Sequence, residues 1–312
     1  MIETPRRSSS LLPAALLFAA VAAVPSGRAE EASVCRELGI KLDLIKSQIT
    51  SVETNQTLFA SADRGCGELA RRLLADGASL EARDRLGAMP LAHAARAGHT
   101  ALVELFLQKG AAVNARNLAG STALYAAAEN QHADAIDRLL RGGADLNLPG
   151  RSGVTPLAAA AFQGNDKIVG LLLGRGADPN LRDSTGKTAM TYAAARGFHT
   201  IVTRLLDANV PPNERYGNDL TALMWAAGHA EGVDPAAAEA VIGLLLDRGA
   251  AIDATDNRGR TALMIAAEVG DAATVGQLLK RGADPTRRDH QGKTALDLAT
   301  REPVRAALSE RR

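Results

Sequence analysis

The chain has 312 residues, of which 36 are basic and 35 acidic, so its formal net charge is +1. This balance does not favour nucleic acid or a membrane surface as the partner, because both attract proteins with a basic excess. Aromatic residues make up 3% of the chain and apolar residues 46%. Such a composition suits a core of Ala and Leu in thin layers.

The first 29 residues have the pattern of a secretory signal peptide. A basic start precedes an apolar run over residues 11–24, and small residues follow at 26–29 before the acidic Glu30. A helix that spans a membrane needs about 20 apolar residues, whereas this run is shorter and contains Pro13. The sequence therefore predicts cleavage after residue 29 and a periplasmic or secreted protein with no stable membrane span. An uncleaved anchor in the inner membrane is the alternative.

A predicted capping helix precedes the main part of the chain. Apolar side chains recur at helical spacing between Ser33 and Thr50, so residues 30–55 are interpreted as a capping helix and a linker. Cys35 lies on this helix, and the second cysteine of the chain, Cys66, lies a short distance beyond it. An even pair in an exported protein suggests a disulfide. Two separate thiols are the alternative.

Residues 56–312 repeat one pattern. A short motif that resembles Thr-Pro-Leu recurs in steps of 33 residues, with a single step of 40, at Met89, Thr122, Thr155, Thr188, Thr221, Thr261 and Thr294. A second landmark ends an apolar run in each unit, at Gly77, Gly110, Gly143, Gly176, Asn209, Gly249 and Gly282. Self-similarity at such a period indicates a repeat array.

Each landmark has a physical role, as the unit that starts at Thr155 illustrates. Thr155 can cap a helix, and Pro156 suits the first helical position because its missing N–H has no partner there. Gly164 ends this helix, and a second helix runs to the leucines at 171–173. Gly176 supplies the left-handed residue that stops it. About a dozen turn-forming residues follow, here called a finger. The sequence therefore predicts an all-α solenoid of about eight units of helix, turn, helix and finger.

On these residues the chain resembles the ankyrin-repeat family, whose unit has 33 residues and a T-P-L-H-x-A signature. The resemblance covers roughly residues 50–308 and extends, more weakly, to exported bacterial ankyrin-repeat proteins. It implies an ankyrin solenoid with short β-hairpin-like fingers. The histidine of the signature is replaced in every unit, by Ala92, Tyr125, Ala158, Thr191, Met224, Met264 and Asp297.

The 40-residue step contains an insertion near residues 228–235, between the two predicted helices of one unit. Trp225 comes just before the insertion and His229 lies within it. Asp234 and Pro235 are a capping residue and a first helical residue, so they predict the restart of the second helix. Insertions in repeat arrays map to loops on one rim and often bind partners. A tolerated loop without function is the alternative, since lengthening a surface loop costs little.

The sequence contains no recognisable catalytic or metal-binding motif. There is no H-E-x-x-H, paired C-x-x-C, G-x-G-x-x-G, G-x-x-x-x-G-K-[ST] or G-x-S-x-G pattern, and the six histidines are scattered. Outside the repeats too few residues remain to fold a separate catalytic domain. The prediction is a protein that is not an enzyme and has no cofactor, no metal site and no catalytic residue.

A basic bias marks the positions that partners contact in proteins of the family that this chain resembles. Those positions are the fingertips, the exposed end of each first helix and the residue before each finger. Here they hold two acidic residues, Glu129 and Glu268, against eleven basic ones: Arg85, Arg96, Arg116, Arg151, Arg182, Lys187, Arg196, Arg215, Arg258, Arg260 and Arg288. Such a bias in a neutral chain favours a basic concave face that captures an acidic surface or segment of another protein.

The predicted function is therefore a protein-binding scaffold in the periplasm or outside the cell. Simple solvation of the finger rim by Arg is the alternative reading of the basic bias. Two other functions remain open at this point. The loop around His229 could modulate or inhibit a periplasmic enzyme, or the protein could be a secreted effector. Nucleic acid is not expected as a partner, because a basic excess and aromatic stacking residues are lacking.

Overall fold

The computed structural model describes residues 28–45, 49–229 and 231–309. Within these ranges seventeen α-helices follow one another and no β-strand is assigned. Residues 1–27, which hold nearly all of the predicted signal peptide, lie outside the described residues. None of the described helices is long and apolar enough to cross a membrane.

After an N-terminal helix α1 (Arg28–Ile45), the helices form eight consecutive pairs. The first helices of the pairs are α2 (Ser51–Arg64), α4 (Pro90–Arg96), α6 (Ala123–Glu129), α8 (Pro156–Phe162), α10 (Ala189–Ala195), α12 (Ala222–Ala227), α14 (Ala262–Val269) and α16 (Ala295–Leu298). The second helices are α3 (Gly67–Ala75), α5 (Thr100–Gln108), α7 (Ala133–Arg141), α9 (Asp166–Gly174), α11 (His199–Asp207), α13 (Pro235–Asp247), α15 (Ala272–Lys280) and α17 (Glu302–Ser309). The predicted all-α solenoid of about eight units is confirmed.

Local chemistry sets the helix ends as the sequence predicts. The hydroxyl of Thr155 accepts a hydrogen bond from the backbone N–H of Ala158 at 3.1 Å, and Pro156 is the first residue of α8. The residues that end the second helices have left-handed backbone, with φ of 88° at Gly176 and 64° at Asn209. Asn tolerates this conformation better than most other residues, which explains the one exception among the glycines.

The core is a continuous row of first helices, with the second helix of each pair packed behind it. Short Ala side chains let neighbouring first helices approach closely, and one larger apolar residue per unit fills the space between them. These residues are 3% exposed or less: Leu91, Leu124, Leu157, Met190, Leu223 and Leu263. Since each unit buries apolar surface only against its neighbours, the array is a single core without separate domains.

The fingers are tight turns held by side-chain and backbone hydrogen bonds. In the commoner form one Asp or Asn begins the turn, as at Asp84, whose Oδ1 accepts the N–H groups of Leu86 and Ala88 at 2.8 Å. Backbone hydrogen bonds also join neighbouring fingers, such as the 2.9 Å bond from the N–H of Leu118 to the carbonyl of Leu86. In two fingers the turn begins with Gly150 or Tyr216 instead, and these fingers contain short 3-10 turns.

The N-terminal end differs from the other units. Helix α2 begins at Ser51, where Thr50 and Glu53 form a capping box, so the predicted boundary before residue 56 lies inside this helix. Helix α1 covers the first pair, buries Leu42 to 4% exposure and is joined to the start of α3 by a disulfide between Cys35 and Cys66. The end of the array is thus closed by a covalently attached helix.

The insertion is partly a loop and partly a helix extension. Helix α13 has 13 residues, whereas α11 in the preceding unit has 9. As predicted, Asp234 caps α13 and Pro235 is its first residue. The lengthened helix packs on the preceding unit, since a methyl group at Gly197 would come within 3.0 Å of the Ala237 Cβ. The insertion is therefore held against the array.

Candidate functional site

Side chains from the fingers and from the first helices meet on one surface of the array, here called the finger face. The hydroxyl of Tyr192 in α10 donates to Asp183 at the start of a finger, and Arg151 of another finger lies 3.6 Å from Glu129 of α6. Most of the basic residues singled out in the sequence belong to these two kinds of element. The surface is therefore a candidate binding face.

Arginines that directly precede the finger turns link one finger to the next. Arg116 donates to the carbonyl oxygens of Gly120 and Pro149, both at 2.8 Å. Arg215 donates to those of Asp219 at 3.2 Å and Thr255 at 2.7 Å. Similar bonds to backbone carbonyls are made by Arg182, Arg288 and Arg83. Arg83, which the sequence analysis did not select, could have been found because it precedes Arg116 by 33 residues. We call these five arginines the finger clamps, and they have a structural role.

Some of the predicted basic residues are neutralised by carboxylates. Arg260 forms ion pairs with Asp256 and Glu268, both at 2.9 Å, and its side chain is only 19% exposed. The other predicted basic residues that form ion pairs are Arg96 with Asp63, Arg151 with Glu129 and Arg182 with Glu214. These four arginines therefore add less to the electrostatic field of the face than the sequence alone suggests.

The remaining basic positions have no carboxylate within salt-bridge distance in the described part of the chain: Arg85, Arg116, Lys187, Arg196, Arg215, Arg258 and Arg288. Arg85 and Arg258 are exposed, and no side-chain hydrogen bond of theirs exists among the described residues. These seven cations add positive charge to the finger face of a chain whose net charge is +1.

Aromatic rings hold two of these cations. The ammonium of Lys187 lies 5.8 Å from the ring centre of Tyr192 and 5.4 Å from that of Trp225. The guanidinium of Arg196 lies 4.6 Å from the ring centre of Phe162 and 5.5 Å from that of Phe198. Sequence analysis selected Lys187, Arg196 and Trp225 separately and missed the aromatic neighbours. The 33-residue step from Tyr192 to Trp225 was the signal that both occupy the same face.

His93 occupies a different, buried part of the finger face. Its Nδ1 lies 3.0 Å from the Asp63 carboxylate and its Nε2 lies 3.1 Å from Asp84, and Phe59 stacks on its ring. Burial alone would raise the pKa of Asp63, but hydrogen bonds and charge from His93 and Arg96 outweigh it and lower the pKa. This cluster joins the first two units and leaves no imidazole nitrogen for a partner.

His229, the histidine of the insertion, is also tied into the array. Its Nε2 lies 3.2 Å from the carboxylate of Asp271, the residue that caps α15, and its side chain is 14% exposed. Burial would raise the pKa of Asp271, but hydrogen bonds from Thr274, His229 and the backbone lower it. The histidine therefore fastens the insertion to the following unit.

A second set of arginines differs from those of the finger face because every one is paired with a carboxylate. These ion pairs join consecutive second helices and are here called the outer ladder. In each of them an arginine on or directly after a second helix meets a carboxylate of the preceding unit. The pairs are Arg138 with Glu104, Arg175 with Asp137, Arg204 with Asp166, Arg248 with Asp207 and Arg281 with Asp247. The outer ladder is therefore electrically balanced.

The described residues contain no group of three or more His, Cys, Asp and Glu side chains that could hold a metal ion. The array consists of stacked helix pairs and finger turns, with charged side chains at the spacing of the repeat. A structure of this kind belongs to the class of helical repeat solenoids, which present extended binding surfaces.

Family comparison identifies the repeat. A family described as "Ankyrin repeats (3 copies)" matches residues 58–150, 111–183 and 157–235, and one described as "Ankyrin repeats (many copies)" matches residues 245–299. The chain therefore belongs to the ankyrin-repeat family. Ankyrin repeats are generally protein–protein interaction modules, and proteins built from them are typically non-catalytic. A comparison with curated proteins finds no match.

Proposed function

We propose that the protein is a non-catalytic scaffold that binds an acidic surface or segment of another protein through its finger face. The observation that carries this proposal is the set of cations without carboxylate partners on that face, in contrast to the paired arginines of the outer ladder. Complementary charge speeds association and selects against partners of the same sign. An acidic partner would supply the carboxylates that the finger face lacks.

The test compares two variants that carry the same change in charge. In the first, Arg85, Lys187, Arg196 and Arg258 are replaced by Glu. In the second, the outer-ladder residues Arg138, Arg175, Arg204 and Arg248 are replaced by Glu. The finger clamps Arg182 and Arg215 are left intact, because their loss would disturb neighbouring fingers. Circular dichroism checks that both variants remain folded.

Wild-type protein and both variants are used for cross-linking in a periplasmic extract, and the captured protein is identified and purified. We expect the wild type and the outer-ladder variant to capture the same acidic partner, with an association rate that falls as salt rises. The finger-face variant should lose the partner. Equal capture by both variants would contradict the proposal and would leave the cations as solvation of the rim.

The location of the protein rests on the predicted signal peptide. N-terminal sequencing of exported protein is expected to give a chain that begins near Glu30, whereas retention of Met1 would indicate a membrane anchor. The alternative function, inhibition of an enzyme by the insertion, receives less support because His229 bonds to Asp271. Deletion of residues 231–234 should therefore leave partner capture unchanged.

A further inference from the structure

Five side chains, two cations and three aromatic rings, form a continuous row across three neighbouring units. Arg196 lies on the ring of Phe162, the rings of Phe162 and Tyr192 meet edge to face with centres 5.6 Å apart, and Lys187 bridges Tyr192 and Trp225. We call these five residues the cation–aromatic row. Phe162 is 43% exposed, so the row has an accessible apolar edge.

Neither cation of the row is satisfied by a carboxylate. The carboxylate of Asp183 already accepts hydrogen bonds from the Tyr192 hydroxyl and from the backbone N–H groups of Thr185 and Lys187. Contact with a ring leaves the N–H groups of a cation free to donate. Arg196 and Lys187 can therefore receive carboxylates while they stay on their rings.

We propose that the cation–aromatic row is the anchor of the finger face and that it binds a partner segment in which acidic and apolar side chains alternate. This inference rests on the proposed function. Carboxylates of the segment would contact Arg196 and Lys187, and its apolar side chains would pack on the edges of Phe162 and Trp225. Binding energy in interfaces concentrates in a few Trp, Tyr and Arg residues at well-packed centres, and the row combines these residue types.

The arrangement favours a peptide segment over single-stranded nucleic acid. Bases bind such proteins by stacking on the faces of aromatic rings. Here Arg196 lies over Phe162, and Lys187 lies near both Tyr192 and Trp225, so a base would have to displace a cation. Carboxylates and aliphatic side chains require no such displacement.

Trp225 is the single tryptophan of the chain and part of the row, so its fluorescence reports binding there. The probes are a short synthetic peptide in which Glu and Leu alternate, a matched peptide with Ser in place of Leu, and a thymidine oligonucleotide. We expect a saturable change in fluorescence with the Glu–Leu peptide and at least about tenfold weaker binding of the Glu–Ser peptide. The oligonucleotide should bind more weakly still.

Two variants within the row and two outside it make the test specific. Phe162→Ala and Arg196→Gln should each weaken binding of the Glu–Leu peptide by about tenfold. Leu118→Ala removes an apolar residue on a fingertip that is more exposed than Phe162, at 81% against 43%, and Arg258→Gln removes an unpaired cation of another unit. Both control variants should keep the preference for the Glu–Leu peptide.

Three results would overturn the inference. Equal binding of the two peptides, with salt dependence retained, would show an electrostatic face without an anchor, and the proposed function would stand. Tighter binding of the oligonucleotide would assign the row to nucleic acid. If neither peptide binds, the row is not an anchor for acidic segments, and the charge-reversal experiment in extract decides the proposed function separately.

Discussion

The outer ladder and the finger face both carry arginines at the spacing of the repeat, but the arginines have different partners. On the outer ladder each arginine meets a carboxylate of the preceding unit, as in the 2.8 Å pair of Arg175 and Asp137. On the finger face the partners are mainly backbone carbonyls, as for Arg215, or rings, as for Arg196. Both kinds of partner are neutral. In a chain with a net charge of +1, the arginines of one face are therefore paired with carboxylates, whereas many of those on the other face are held by neutral groups.

The exposed charge pairs of both faces are expected to contribute little to stability. Exposed ion pairs contribute about 0–1 kcal/mol each, since water screens them and long side chains lose freedom. Stability should come from the buried Leu and Ala layers, from finger hydrogen bonds and from the disulfide. The following predictions separate these contributions from those of the charged faces.

The largest effect on stability is expected from loss of the disulfide, which attaches α1 to the first helix pair. The bridge spans 31 residues, and a loop of this size corresponds to about 3–4 kcal/mol. Cys35→Ser with Cys66→Ser should release α1, as seen by faster hydrogen exchange there and unchanged exchange in α8 to α11. Arg72→Gln, which removes the 3.0 Å pair with Asp43, is the control and should have little effect.

Thiol titration gives an independent check of this bridge. Unfolded, non-reduced wild-type protein should contain no free thiol. Two thiols per chain would show that the bridge is absent in the protein, and a comparison with the serine variant would then lose its meaning.

A smaller loss is expected when a finger clamp is removed. Arg215→Ala breaks bonds to the carbonyls of Asp219 and Thr255 and should lower the free energy of unfolding by about 1–2 kcal/mol. Arg258→Ala removes a cation of the same face that has no such bonds and should change it by less than about 0.5 kcal/mol. Urea unfolding measures both. Equal losses would mean that the clamps are not structural.

The buried cluster around His93 should make the N-terminal junction sensitive to acid. The pKa of Asp63 is lowered in the folded protein, so its contribution is complete above the unfolded value of about 3.9 and is lost as pH falls through the folded value. The stability difference between wild type and Asp63→Asn should therefore shrink below about pH 4.

Asp166 provides the matched control on the outer ladder. Its pKa is also lowered, by a hydrogen bond from Arg204, but that arginine is 48% exposed whereas His93 is 7% exposed. Asp166→Asn should show a smaller pH-dependent difference, which salt reduces further. A larger difference than for Asp63→Asn would contradict the distinction between the two faces.

The smallest effect is expected on the outer ladder itself. Arg175→Gln removes the pair with Asp137, and both partners are partly exposed. The free energy of unfolding should change by less than about 0.5 kcal/mol, and partner binding should not change. A loss of several kcal/mol in urea unfolding would show that the ladder holds the units together.

The sequence by itself determined the repeat, the helix ends and the positions that lie on the finger face. These features depend on residues close in the chain, such as Thr155 capping α8 or Gly176 ending α9, and on a motif that occurs seven times. The disulfide partners were also limited to one pair by composition, since the chain has two cysteines.

The tertiary structure alone decided what each charged residue does, because the partners belong to different units. Arg182 and Arg196 look alike in the sequence, yet one bonds to Glu214 and the other lies on Phe162. The sequence places His229 in an inserted loop, whereas the structure bonds it to Asp271 of the next unit. A contact between units depends on how closely two fingers or helices stack and on which rotamer reaches across. Repeat spacing places a side chain on a face, but packing between units selects its partner.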